Sequence, residues 1–127
     1  GWIKHALNTG EPLTVKNDPK YDVVFLDNHD QTRIAVSLNH DIYRVKKALE
    51  MLFSFDDSDI CLYYGTEIGM GVYNGHVAPG GYGDYYSRTP MEWTRVEYQR
   101  KDPNSLFNYT KNLIKEYRKK EKDKANG

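Results

Sequence analysis

The chain has 127 residues, 39% hydrophobic and 28% charged, and its 18 basic and 18 acidic side chains balance to a formal net charge of +0. That balance leaves no electrostatic footprint for nucleic acid or an anionic membrane, so both are set aside as partners. A single cysteine excludes an intrachain disulfide framework, and no run reaches the roughly 18 apolar residues that a bilayer crossing requires.

In chain order, Trp2, Ile3, Ala6 and Leu7 recur at helical spacing and Asn8-Thr9-Gly10 closes them, so the chain reads as entering partway through a helix. After a polar connection with Pro12 and Pro19, residues 21–26 (Tyr-Asp-Val-Val-Phe-Leu) are β-branched and aromatic and predict a short buried strand. Asn39 is a candidate helix cap, and Ile42, Val45, Leu49, Leu52 and Phe53 then repeat every 3.6 residues, predicting an amphipathic helix that stops near Asp56-Asp57-Ser58. A second strand is expected over residues 60–64, with Cys61 as a small core residue, and Gly65 ends it. Residues 65–104 read as one long loop rich in glycine and tyrosine, and loops of that length are functional or disordered. From Ser105 a last helix places Leu106, Leu113, Ile114 and Tyr117 on one stripe before a lysine-rich, solvated end.

Helix, strand, helix, strand, helix is the order of successive β-α units, which predicts an α/β fold with a parallel sheet and right-handed crossovers. Strands this apolar need covering on both faces, and two of them cannot close a core. A larger parent domain is therefore expected, of which residues 1–127 are one part, with marginal stability in isolation.

The chemistry concentrates where the first strand ends, in Phe25-Leu26-Asp27-Asn28-His29-Asp30-Gln31-Thr32. An ionised Asp30 can accept hydrogen bonds from two vicinal hydroxyls while a His29 imidazole donates to a third group, which is the vocabulary of sugar binding. The plainer reading of the same residues is an Asx turn closing a strand. Glu67, in Gly65-Thr66-Glu67 after Tyr63-Tyr64, takes the equivalent place on the neighbouring strand. Arg88-Thr89-Pro90-Met91-Glu92-Trp93 sets a guanidinium beside a rigid proline, with Met91 and Trp93 as expected anchors.

These three segments, in this order and spacing, resemble the α-amylase superfamily, glycoside hydrolase family 13. Phe25 to Asp30 resembles its motif at the end of barrel strand seven, Leu62-Tyr63-Tyr64-Gly65-Thr66-Glu67-Ile68-Gly69-Met70 its strand-eight signature, and Arg88 to Trp93 the loop beyond. The resemblance runs from about Tyr21 to Tyr117 and implies the last two β-α units of a TIM (β/α)8 barrel, a quarter to a third of the catalytic domain. It implies that Asp30 is the transition-state-stabilising carboxylate, neither nucleophile nor proton donor, and that His29 assists it at the sugar hydroxyls. Asn28, Arg33, Tyr64, Glu67 and Arg88 join them as substrate-binding candidates. Arg88 resembles an arginine that in exo-acting members meets the non-reducing end, and Arg33 completes an Asp-Gln-x-Arg pattern of the oligoglucosidase-like branch. The implied substrate is an α-glucan or α-glucoside, with no metal or cofactor. The nucleophilic Asp and acid/base Glu belong to strands four and five, so the remainder of the parent catalytic domain is the implied partner. Thr66, where an Asp is common, and Asp57-Ser58-Asp59, in place of Gly-x-Pro, are departures that bear on subfamily.

Three other readings use the same residues. Asp30 and Glu67 form a self-contained carboxylate pair in one. In another, His29-Asp30, His40-Asp41 and His5 ligate the metal of a His-Asp phosphohydrolase. In the third, Tyr82, Tyr85, Tyr86 and Trp93 stack on sugar rings in a non-catalytic carbohydrate-binding module.

Overall fold

The computed structural model of the chain describes residues 23–55, 58–71 and 87–127. The helix expected at residues 2–7, the first two residues of the expected first strand, His5, and the tyrosines at 82, 85 and 86 lie outside the described residues. The elements are β1 (Val23–Val24), α1 (Ile34–Ser37), α2 (Ile42–Leu52), β2 (Asp59–Ile60), a 3-10 turn (Thr66–Ile68), α3 (Trp93–Lys101) and α4 (Leu106–Asn126).

β1 and β2 pair in parallel, Val23 opposite Asp59 and Val24 opposite Ile60, and the Cys61 N–H extends the ladder to the Val24 carbonyl at 2.9 Å. Parallel pairing agrees with the β-α order of the sequence, but both strands are shorter than expected. Beyond Val24 the chain leaves the ladder, and three residues on the Asp27 side chain is taken up by backbone and hydroxyl donors, described below.

The side chains alternate across this small sheet as a period of two requires. Val24 is buried, and Leu26, Ile60 and Leu62 pack against the same helix-side core. Val23 (57% exposed), Phe25 (38%) and Cys61 face the other way. The expectation of a buried Cys61 is thus corrected: with Ile60 and Leu62 filling the inward positions, register sends the residue between them outward.

The core centres on α2, which buries Val45, Ala48, Leu49 and Leu52 against Ile34, Ala35 and Leu38 from the α1 segment and Leu106 from α4. Val45, Leu49 and Leu52 belong to the helical stripe read from sequence, Ala48 joins them, and Ile42 at the first turn is 45% exposed while Phe53 closes the helix. Its cap is Asp41, whose Oδ1 accepts from the Arg44 N–H at 3.3 Å, and not Asn39. Asn39 and His40 both adopt φ 55° and turn the chain between the two helices. Asparagine is among the few side chains that tolerate that left-handed region, so it serves the turn and leaves capping to the aspartate.

Within the stretch 65–104, expected to be loop, α3 forms a regular helix with no buried residue. Polar contacts hold it: Arg95 pairs with Glu92 at 3.1 Å, Arg100 with Glu97 at 3.0 Å, and the Gln99 side chain donates to the Ile68 carbonyl at 3.0 Å. The start of α4 at Ser105 agrees with the sequence, the Ser105 hydroxyl accepting from the Asn108 N–H at 3.2 Å. No helix among the described residues is long and apolar enough to cross a membrane.

Candidate functional site

Where β1 ends, Asp27 turns inward and is buried. Its Oδ2 accepts from the Ile34 N–H at 2.9 Å and its Oδ1 from the Thr66 hydroxyl at 2.8 Å, joining the loop after β1 to the one after β2. Burial pushes the Asp27 carboxyl up from its ordinary range, while these two donors and the nearby Arg33 charge pull the other way. The first turn of α1 is therefore anchored by a carboxylate seven residues earlier, which pins both ends of the segment 28–33.

Arg33 forms the far end of that segment and is only 1% exposed. Its guanidinium lies 4.6 Å from the Tyr63 ring centroid and 4.8 Å from that of Tyr64, and Nη1 donates to the Tyr64 carbonyl. Arg33 is thus below the mouth of the site and does not line it, because the two aromatic faces and a carbonyl take its planar group out of solvent. Gly65 completes this pocket at φ 88°, and a β-carbon there would come within 2.5 Å of Met70 Sδ and 3.0 Å of Arg33 Nη1. Backbone conformation and space both call for glycine here.

The same tyrosines reach the third segment with their hydroxyls. Tyr63 donates to the Ser87 carbonyl at 2.8 Å and Tyr64 to the Thr89 carbonyl, so the residues on either side of Arg88 are fastened. Arg88 then turns back toward β1. Its Nε donates to the His29 carbonyl at 3.0 Å, a carbonyl that also accepts from the Ser87 hydroxyl at 3.1 Å, and its Nη2 donates to Asp30 Oδ1 at 2.9 Å. The other Asp30 oxygen lies 3.1 Å from His29 Nε2.

Asp30 is consequently a carboxylate at the carboxyl end of a parallel strand, 64% exposed at its side chain, with a guanidinium on one oxygen and an imidazole on the other. Its own loop and the Arg88 segment meet at it, and the loop after β2 supports that segment through the Tyr63 and Tyr64 hydroxyls. Such a group, oriented by a guanidinium and an imidazole but open to solvent, can accept hydrogen bonds from the hydroxyls of a polyol. Asn28 supports it from within: its Oδ1 accepts from the Asp30 N–H at 2.9 Å, so an Asx turn and a presented carboxylate coexist in the run Asn28-His29-Asp30.

The remaining expectations divide. Tyr64 belongs to the cluster through its ring and hydroxyl. Glu67 sits in the 3-10 turn with Oε2 buried and without a hydrogen-bond partner among the described residues, and it shares neither the hydrogen bonds nor the ion pairs of Asp30. Trp93, expected as an anchor for Arg88, is 70% exposed, and the tyrosine hydroxyls do the anchoring. Among the described residues no three His, Cys, Asp or Glu side chains converge as a metal-binding group. Asp27, Tyr63 and Ser87 were not singled out by sequence reasoning. Adjacency to the Asn-His-Asp run was the available signal for Asp27, whereas nothing local marks Ser87.

Residues 4–127 match the alpha amylase catalytic domain. The chain belongs to that family. A curated relative, Alpha-amylase 3 of Dictyoglomus thermophilum, is 30% identical over 116 residues, covering 73% of this chain and 21% of the relative. The chain therefore spans about a fifth of the length of the relative it matches. No solved structure matches it. The alpha-amylase catalytic domain implies a TIM barrel, whose chemistry gathers at the carboxyl ends of the strands. In this amylase-family chain that is where Asp30, His29 and Arg88 meet, above two parallel strands whose helices pack on one face.

Proposed function

We propose that the chain is the C-terminal part of the catalytic barrel of a retaining, α-glucan-active glycoside hydrolase or transglycosidase, contributing its last two β-α units. Asp30 is the carboxylate that grips hydroxyls of the glucosyl unit at the cleavage point, and His29 donates to a neighbouring oxygen. The observation that carries this reading is the doubly supported, solvent-open carboxylate of Asp30 at the strand end.

The chemistry follows from charge. As the glycosidic bond breaks, positive charge grows on the anomeric carbon and ring oxygen, the sugar hydroxyls become more acidic, and hydrogen bonds from them to a fixed carboxylate strengthen. Arg88 and His29 hold Asp30 in place, so little reorganisation accompanies that tightening. Retaining hydrolysis also needs a nucleophile and an acid/base roughly 5 to 5.5 Å apart. In this proposal both come from the remainder of the parent catalytic domain, and the chain alone turns nothing over.

Two measurements on the 127-residue chain test this. Incubated with 4-nitrophenyl α-glucoside it releases no nitrophenol, and titrated with maltotriose it shows shifts of the His29 ring signals that Asp30→Asn abolishes. Nitrophenol release by the purified chain, or a maltotriose response indifferent to Asp30→Asn, overturns the assignment.

A further inference from the structure

Arg33 presents a physical puzzle. It is a guanidinium almost wholly withdrawn from water, yet among the described residues its Nε and Nη2 are buried with no hydrogen-bond partner, and Asp27 acts on it only as a nearby charge. A buried cation held this way is a poor stabiliser, since desolvation costs more than two ring faces and one carbonyl return. An apolar side chain of similar length would serve the packing as well.

What the guanidinium does provide is direction. Arg33 is three residues from Asp30, and its guanidinium packs at 4.6 and 4.8 Å against the rings of Tyr63 and Tyr64, which meet each other edge to face at 4.8 Å. The hydroxyls of those rings hold the carbonyls of Ser87 and Thr89, the two neighbours of Arg88. Arg88 returns to His29 and Asp30, closing a ring of contacts that starts and ends on one loop. We infer that Arg33 is a positioning residue: through the tyrosine pair it sets where Arg88 meets Asp30, and so the geometry in which the carboxylate is offered to a sugar. This deepens the functional reading above and rests on it for the identity of the ligand.

Arg33→Met separates positioning from stability, because methionine keeps an unbranched stem against the rings and discards the charge. In the unsubstituted 127-residue chain the Arg88 Nε–H, bonded to the His29 carbonyl, is expected to give an NMR signal whose exchange with water is slowed by that bond. Arg33→Met keeps the urea midpoint of that chain or raises it, speeds exchange of that Arg88 signal by about tenfold or more, and weakens maltotriose binding by about tenfold. A purely structural role would lower the midpoint and leave the Arg88 signal of the folded molecules unchanged, and that result overturns the inference. Should Arg33→Met fail to fold, the double variant Tyr63→Phe with Tyr64→Phe keeps both rings on Arg33 and removes only the hydroxyl links. Its Arg88 exchange must then accelerate in the same way, and unaltered exchange refutes the relay. An unsubstituted chain that ignores maltotriose counts against the glucan reading alone, because the exchange measurement needs no sugar.

Discussion

The helix-side core and the loop cluster above the strands are held by opposite kinds of interaction. Around α2, Val45, Ala48, Leu49 and Leu52 are sealed from water in one apolar cluster. At the strand ends, His29, Asp30 and Arg88 stand half or more in solvent, fixed by hydrogen bonds and ion pairs. Burial is strong but non-directional, and it supplies the platform. Hydrogen bonds and ion pairs at an exposed site contribute little to stability, yet they decide where a carboxylate points. Asp27, Arg33 and Thr66 lie between the two regimes, buried like the first and polar like the second.

The sharpest break in that comparison is Leu49→Ala. Removing a fully buried side chain from the centre of α2 costs about 2–5 kcal/mol, a large share of a domain's stability, read as a lower urea midpoint. A loss below about 1 kcal/mol would show that α2 does not carry the core.

Gly65→Ala comes next and strikes the intermediate layer. The new methyl must displace Met70 or the Arg33 guanidinium while holding φ 88°, at a cost of about 1–3 kcal/mol. The Tyr63 and Tyr64 ring signals should shift with it, whereas Leu49→Ala leaves them in place in the molecules that stay folded.

Asp27→Asn has the smallest effect at neutral pH and the most specific one against pH. Because the folded carboxyl titrates above its unfolded value, the folded state holds the proton more tightly, so this contribution is full below the unfolded value near pH 4 and lost as pH rises through the folded one. The Asp27 contribution to stability therefore falls as pH rises through that window, and Asp27→Asn removes it, so the difference in stability between the unsubstituted chain and the variant changes with pH there. A difference that does not change with pH, in urea denaturation at stepped pH, would show that the buried carboxyl makes no such contribution.

Much of this was legible in one dimension. The stripe from Val45 to Leu52 marked α2, Ser105 marked the start of α4, and the β-α alternation implied parallel pairing, since each is written in residues close together in the chain. α3 escaped notice because its apolar residues gather on no one face and its helix is tied by ion pairs and by Gln99. Cys61 was misplaced because a one-residue choice of register determines which face it takes. Asp30 and His29 were readable as a presented polar pair, but their link to Arg88, 58 residues from Asp30, was not.

The sequence by itself determined the family, the helical core and the identity of the carboxylate at the strand end, because motif and periodicity are local properties of the chain. Only the tertiary structure decided that Arg33 is buried beneath the site instead of lining it, and that Tyr63 and Tyr64 tie Arg88 to Asp30. Those facts depend on loops remote in sequence meeting at the ends of two paired strands, where desolvation and hydrogen-bond geometry, not residue type, assign each side chain its role.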